Sequence, residues 1–200
     1  MNHLAHAYLS GDNDYVLVGN MMGDAIKGNG FLEDGFFPTD IIKGIRLHRF
    51  IDDFTDNHPL CLEGKKRLWS RYRHYSGVLT DMYYDHILAF YWERYSKHQL
   101  SDFAQTVYST LEDKWEWLPE RTQHMVTYMK RYDWLSSYSS IDGISRALGG
   151  LSRRTTHKSG LETGANELMA YFDDYEREFH EFFNEIREAC AKQLNDYEQT

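Results

Sequence analysis

Two hundred residues, 42% hydrophobic and 16% aromatic with only three prolines, are enough for one large domain with a sizeable core and exclude a disordered chain. A formal charge of −9 excludes a general nucleic-acid binder, because phosphate affinity rests on an excess of Lys and Arg. No stretch approaches the roughly 18 apolar residues of a membrane helix, the N-terminus lacks a basic start followed by an apolar run, and Cys61 and Cys190 lie far apart without a CxxC partner, so the reading is a cytoplasmic protein with reduced thiols and no membrane contact.

Helical periodicity dominates and no strand pattern competes with it. The expected fold class is therefore all-α, a single-domain helical bundle over residues 1–200. Helices are expected near 2–10, 14–27, 40–56, 60–73, 78–96, 101–115, 120–131, 140–153 and 162–194, separated by turn signals such as Gly28-Asn29-Gly30 and Asn57-His58-Pro59.

The first helix carries Asn2 and His6 one turn apart. The second, VGNMMGDAIKG, repeats that spacing with Asn20 and Asp24 and places Lys27 on the same face. In the third, IRLHRFIDDFTDNHP, residues His48, Asp52 and Asp56 are spaced by about 40° around the helix and share the stripe of Ile41 and Ile45. A carboxylate on a core-facing stripe costs several kcal/mol unless a cation or a full set of hydrogen bonds compensates it. Asp53 points about 100° away and reads as a solvated neighbour, and Asp56 is equally suited to a helix-end role.

The fourth helix is basic, with Lys65, Lys66, Arg67, Arg71 and Arg73. The fifth, LTDMYYDHILAFYW, is apolar nearly all round, yet holds Asp81 and Asp85 one turn apart with His86 adjacent. Farther on, Arg153, Arg154 and Lys158 form a second basic cluster, and the last helix carries an aromatic stripe that reads as core packing. Imidazole and carboxylate groups thus lie on inward stripes of separate helices, the way helical bundles build metal sites. That ligand mixture suits Mn, Fe, Zn or Mg.

The motifs MNHLAHAYL, GNMMGDAIKG, GIRLHRFIDDFTD and DMYYDH, in that order, with a weaker WL…LSRR pattern from Trp134 to Arg154, resemble the acyl carrier protein phosphodiesterases, unusual relatives of the HD-type metal phosphohydrolases. The likeness covers nearly the full length. It implies an HD-like α-helical fold and a divalent metal, manganese first, with magnesium and iron as alternatives. The implied reaction is hydrolysis of the phosphodiester joining 4′-phosphopantetheine to a carrier serine by a metal-activated water. The order departs from the usual HD arrangement: the dipeptide reads Asp85-His86, and the HxxxD element lies upstream.

On this resemblance the ligand shortlist is Asp24, His48, Asp52, Asp85 and His86. His6 is the candidate acid for the leaving serine oxygen. Arg49 and Lys27 would hold phosphate oxygens, and Asp81 or Asp56 would orient a ligand or the water. The partner would be an acidic acyl carrier protein, docked on Lys65, Lys66, Arg67, Arg71 and Arg73.

Other readings stay open. The same metal chemistry would serve a nucleotide or another small phosphoester, and only a substrate panel separates the two. A di-iron oxidoreductase fits less well without paired Glu-x-x-His elements. Tightly bound metal would count against a non-enzymatic interaction protein.

Overall fold

The computed structural model describes residues 1–30 and 35–198, and among them every regular element is helical. The α-helices are α1 (His3–Leu9), α2 (Asp14–Met21), α3 (Thr39–Asn57), α4 (Pro59–Tyr72), α5 (Ser76–Phe90), α6 (Leu100–Asp113), α7 (Glu120–Arg131), α8 (Trp134–Ser137), α9 (Ile141–Arg154), α10 (Gly164–Ala170) and α11 (Phe172–Glu198). Local chemistry sets several starts. The Asn13 side chain accepts from the N–H groups of Tyr15 and Val16 at α2, His58 accepts from Leu60 ahead of Pro59 at α4, and Ser140 accepts from Gly143 at α9. Each supplies a partner to a backbone donor that the helix itself leaves unpaired.

One contiguous core joins these elements. Its centre is the aromatic stripe of α11, where Tyr175, Phe179, Phe182 and Phe183 are fully buried. They meet Tyr83 and Tyr84 of α5, with ring centroids 5.0 Å apart for Tyr83–Tyr175 and 5.5 Å for Tyr84–Phe179, the edge-on arrangement that aromatic quadrupoles favour. Two buried hydroxyls find backbone acceptors: Tyr83 donates to the Gly164 carbonyl at 2.7 Å and Tyr175 to that of Gly64 at 2.9 Å.

The tightest helix contact is between α2 and α3. A Cβ at Gly19 would lie 2.1 Å from the Ile41 carbonyl oxygen, and one at Gly44 would lie 2.2 Å from that of Val16. Only hydrogen at both positions allows this backbone-to-backbone approach. It brings the last turn of α2, which carries Asn20, against the first half of α3, which leads to His48.

Three expected boundaries shift. The second helix stops at Met21 and passes into a 3₁₀ turn at Gly23–Ala25, which leaves Lys27 in the exposed loop beyond. The fifth stops at Phe90, followed by a 3₁₀ turn at Trp92–Arg94. The single helix expected over 162–194 is interrupted at Tyr171, which is exposed, and α11 restarts with Asp173 and Asp174 in its first turn, where carboxylates favour a helix N-terminus. Among the described residues no helix is long and apolar enough to cross a membrane.

Candidate metal centre

α1, the turn after α2, and the inner faces of α3 and α5 enclose a cleft of about 280 Å³ lined by His3, His6, Asn20, Asp24, His48, Asp52, Asp56, Asp81 and Leu151 among others. Within it, one ligand atom from each of His6, His48 and Asp52 lies within 4.8 Å of the others, the one such group of a size to hold a metal ion among the described residues. His6 Nε2 is 3.2 Å from one Asp52 oxygen, and His48 Nε2 is 3.2 Å from the other and 3.5 Å from Asp24 Oδ1. The two imidazoles stack with centroids 4.3 Å apart.

Asn20 fixes the state of His6. Its amide nitrogen donates to the His6 carbonyl and to Ser10 Oγ, both at 2.9 Å, so its oxygen is the acceptor for His6 Nδ1–H at 2.8 Å. Burial pushes the His6 pKa below its ordinary value and outweighs the hydrogen bond to Asp52. Neutral His6 with its proton on Nδ1 therefore aims a bare lone pair at a carboxylate oxygen. Two acceptors face one another, an arrangement that calls for a cation between them.

His48 answers that need with a proton. Burial opposes its charge, but the hydrogen bonds to Asp24 and Asp52 outweigh burial and raise its pKa to about 9. The same contacts hold Asp52 well below the usual carboxylate range against its own burial, and hydrogen bonding to His48 lowers Asp24. His48 Nδ1 is buried without a hydrogen-bond partner among the described residues, so packing orients the ring. Gly23 leaves the space, because a Cβ there would lie 2.3 Å from His48 Cγ. The donor set, two imidazoles and a carboxylate with a second carboxylate at the mouth, fits a divalent ion.

Of the expected ligands, the structure brings together Asp24, His48 and Asp52 and adds His6, which was expected to be the acid. It does not bring Asp85 or His86 to them. Asp85 is fully buried and its oxygens accept from the backbone N–H groups of Leu4 (2.7 Å) and Ala5 (3.2 Å), so it anchors the start of α1. Burial raises its pKa to about 7, against those bonds. The His86 Nδ1–H donates to the Tyr138 carbonyl at 2.7 Å, and the ring borders a separate apolar hollow with Phe90, Ile141, Met169 and Phe172. The adjacency of Asp85 and His86 on a helix is what separates them, since consecutive side chains diverge by about 100°.

The remaining assignments also move. Arg49 donates to the carbonyls of Ile26 (3.3 Å) and Gly28 (2.6 Å) and to the Asn29 side chain (2.8 Å), so it clamps the loop after the 3₁₀ turn, and neither it nor Lys27 lines the cleft. Asp81 pairs with the Met1 amine at 3.2 Å and Asp56 with Lys65 at 2.5 Å, both on the cleft wall. Of the expected docking residues, Lys65 is thus engaged, Arg67 forms a two-pronged ion pair with buried Glu178 and lies over the Tyr175 ring, and Arg71 pairs with Glu167. Lys66 and Arg73 remain exposed. His3, which the sequence reading passed over, lines the cleft beside Trp134, and burial lowers its pKa to about 4. Its spacing of three from His6 on α1 was the available signal.

No solved structure matches the chain. Curated relatives do. Proteins named acyl carrier protein phosphodiesterase from Photorhabdus laumondii (30% identical over 191 residues, 95% of each chain), Enterobacter sp. strain 638 (31% over 196 residues, 97% of this chain and 100% of that one) and Klebsiella pneumoniae strain 342 (32% over 200 residues, 97% and 100%) align along nearly the whole length. A family model described as acyl carrier protein phosphodiesterase matches residues 1–186, which include α1, the 3₁₀ turn, α3 and α5, and the chain therefore belongs to the acyl carrier protein phosphodiesterase family.

Proposed function

We propose that the protein is a cytoplasmic metal-dependent phosphodiesterase that releases 4′-phosphopantetheine from the serine of an acyl carrier protein, with manganese as the working ion. The observation that carries this reading is the lone pair of neutral His6 facing an Asp52 oxygen, two acceptors that a cation between them would reconcile, with the His48 imidazole beside them. A divalent ion held by His6, His48 and Asp52 would supply an activated water near neutral pH and offset phosphate charge.

The chain's own groups do the rest. Asn20 keeps His6 in the liganding tautomer, Asp85 holds the helix that carries His6, and Gly23 admits the His48 ring. Asp24, largely exposed at the mouth, is placed to orient the attacking water. His6 is committed at both ring nitrogens, and burial keeps His3, the other imidazole on the cleft wall, neutral, so neither is a ready proton donor to the departing serine oxygen.

The test is incubation of the manganese-loaded protein with holo-acyl carrier protein, followed by intact mass measurement. Loss of the phosphopantetheine mass, abolished by a chelator and restored better by manganese than by calcium, is the expected result. An unchanged carrier together with turnover of a nucleotide phosphoester would replace this substrate, and full turnover by metal-stripped protein would end the metal mechanism.

A further inference from the structure

The cleft presents an electrostatic difficulty to an anionic substrate. Asp24, Asp52, Asp56 and Asp81 all line it, and the chain carries −9 overall. An acidic protein bearing a phosphodiester would be repelled unless cations stand at the rim to guide it. On α4, Lys65, Arg67 and Arg71 are spent internally, on Asp56, Glu178 and Glu167, which leaves Lys66 and Arg73, neither of them on the cleft wall.

The end of α9 differs. Leu151 forms part of the cleft wall, and Arg153 and Arg154 follow within the same turn, with Lys158 just beyond the helix. All three are exposed, and none of them takes part in an ion pair among the described residues. The carboxylate that Lys158 acts on is Glu162, itself bonded by the Ser152 hydroxyl at 2.6 Å. Arg154 is near enough to the cleft for its charge to disfavour protonation of His3. The segment is held in place: Thr155 Oγ1 donates to the Ser152 carbonyl at 2.8 Å, and the Tyr72 and Thr163 hydroxyls meet at 2.9 Å where the following loop packs on α4. A helix C-terminus favours a basic residue, which accounts for an arginine in the last turn but not for Lys158 past it.

We propose that Arg153, Arg154 and Lys158 are the docking face for an acidic protein surface that carries the phosphodiester, with exposed Val78 and half-buried Leu151 as the apolar step from that face into the cleft. This assignment rests on the reading under Proposed function and supplies its missing positive surface. It replaces α4 as the place where the carrier lands.

The experiment uses the full-length, manganese-loaded protein and holo-acyl carrier protein. Direct binding is measured by titration, and KM and kcat by phosphopantetheine release, for wild type, Arg153→Glu/Arg154→Glu, Arg153→Gln/Arg154→Gln and Lys66→Glu. Metal content and melting temperature identify any variant that fails to fold, in which case the glutamine pair carries the comparison. The charge-reversed pair is expected to weaken binding and raise KM by about tenfold or more with kcat at saturation kept within about twofold, and wild-type binding should weaken with salt more steeply than that of the variant. Lys66→Glu should shift binding by less than about twofold. Unchanged carrier binding in the arginine pair, a fall in kcat at constant KM, or a larger effect at Lys66 overturns the docking face. Wild type that binds the carrier through these arginines without releasing phosphopantetheine overturns the catalytic reading instead.

Discussion

His6 and His48 share a cleft and a stacking contact yet are driven to opposite protonation states, one by burial and the other by two carboxylates. The proton on His48 stands where an ion would bind, so uptake near neutral pH should release about one proton per ion. Because the His48 pKa is about 9, metal affinity should climb as pH rises toward that value, by about tenfold per unit, and level off above it. Calorimetry in buffers of different ionisation enthalpy measures both quantities. At Asp52, replacement by Asn keeps the size and removes the charge that serves both imidazoles, so metal stoichiometry and turnover should fall together. Asp53→Asn is the control, since Asp53 is exposed and, among the described residues, engages only its own helix through Asn57. Retained metal at Asp52→Asn would move the site elsewhere. The pairing of His48 and Asp52 was legible in the sequence because spacing by one turn on an apolar stripe is a local pattern, whereas Asp24 reaches His48 from the exposed 3₁₀ turn and not from the inward helix stripe expected for it. The approach of the bare His6 nitrogen to Asp52 was not legible, because it depends on which atom of Asn20 accepts, a contact set by how α1 and α2 meet.

At the level of elements, α2 and α3 act as one unit through Gly19 and Gly44. Gly44→Ala puts a methyl group where a backbone carbonyl already lies, so the helices must separate at a cost of about 1–3 kcal/mol, read as a lower denaturant midpoint. Gly149→Ala on α9 is the counterpart: its Cβ would meet only the end of the Arg153 side chain at 3.6 Å, and removing a helical glycine there should be neutral or gain about 0.5–1 kcal/mol. Equal losses at both sites would mean the α2–α3 approach is unimportant. Long apolar periodicity made most helices readable, and the aromatic stripe of α11 packs in the core as its spacing indicates. The break at Tyr171 escaped notice because no Gly or Pro marks it. Its signal was the Asp173-Asp174 pair, which also reads as ordinary solvated charge.

Across the whole molecule, charge is spent in two ways that sequence alone does not separate. Arg67 looked like part of a basic surface, but it neutralises Glu178, which is only 5% exposed. Arg67→Ala leaves that carboxylate buried and unpaired, and stability should fall by about 3 kcal/mol, the low end for such pairs because Arg67 keeps some contact with water. A thermal melt is the check, and a change confined to carrier affinity would restore Arg67 to a docking role. Partners distant in the chain, here Glu178 for Arg67 and Leu4 for Asp85, decide such roles, and local periodicity carries no information about them. The Asp85 anchor has a further consequence, for the rate at which an ion comes and goes. A helix of seven residues has little stability of its own, so α1 stays folded through the grip of Asp85 on α5, of Asn20 on α2 and of the core residues it packs against. Fraying of α1 withdraws His6 and leaves the ion with His48 and Asp52, while α3, α5 and α11 stay packed. The residence time of an ion held by His6, His48 and Asp52 would then depend on how often this part of α1 lifts away, an opening that costs less than global unfolding.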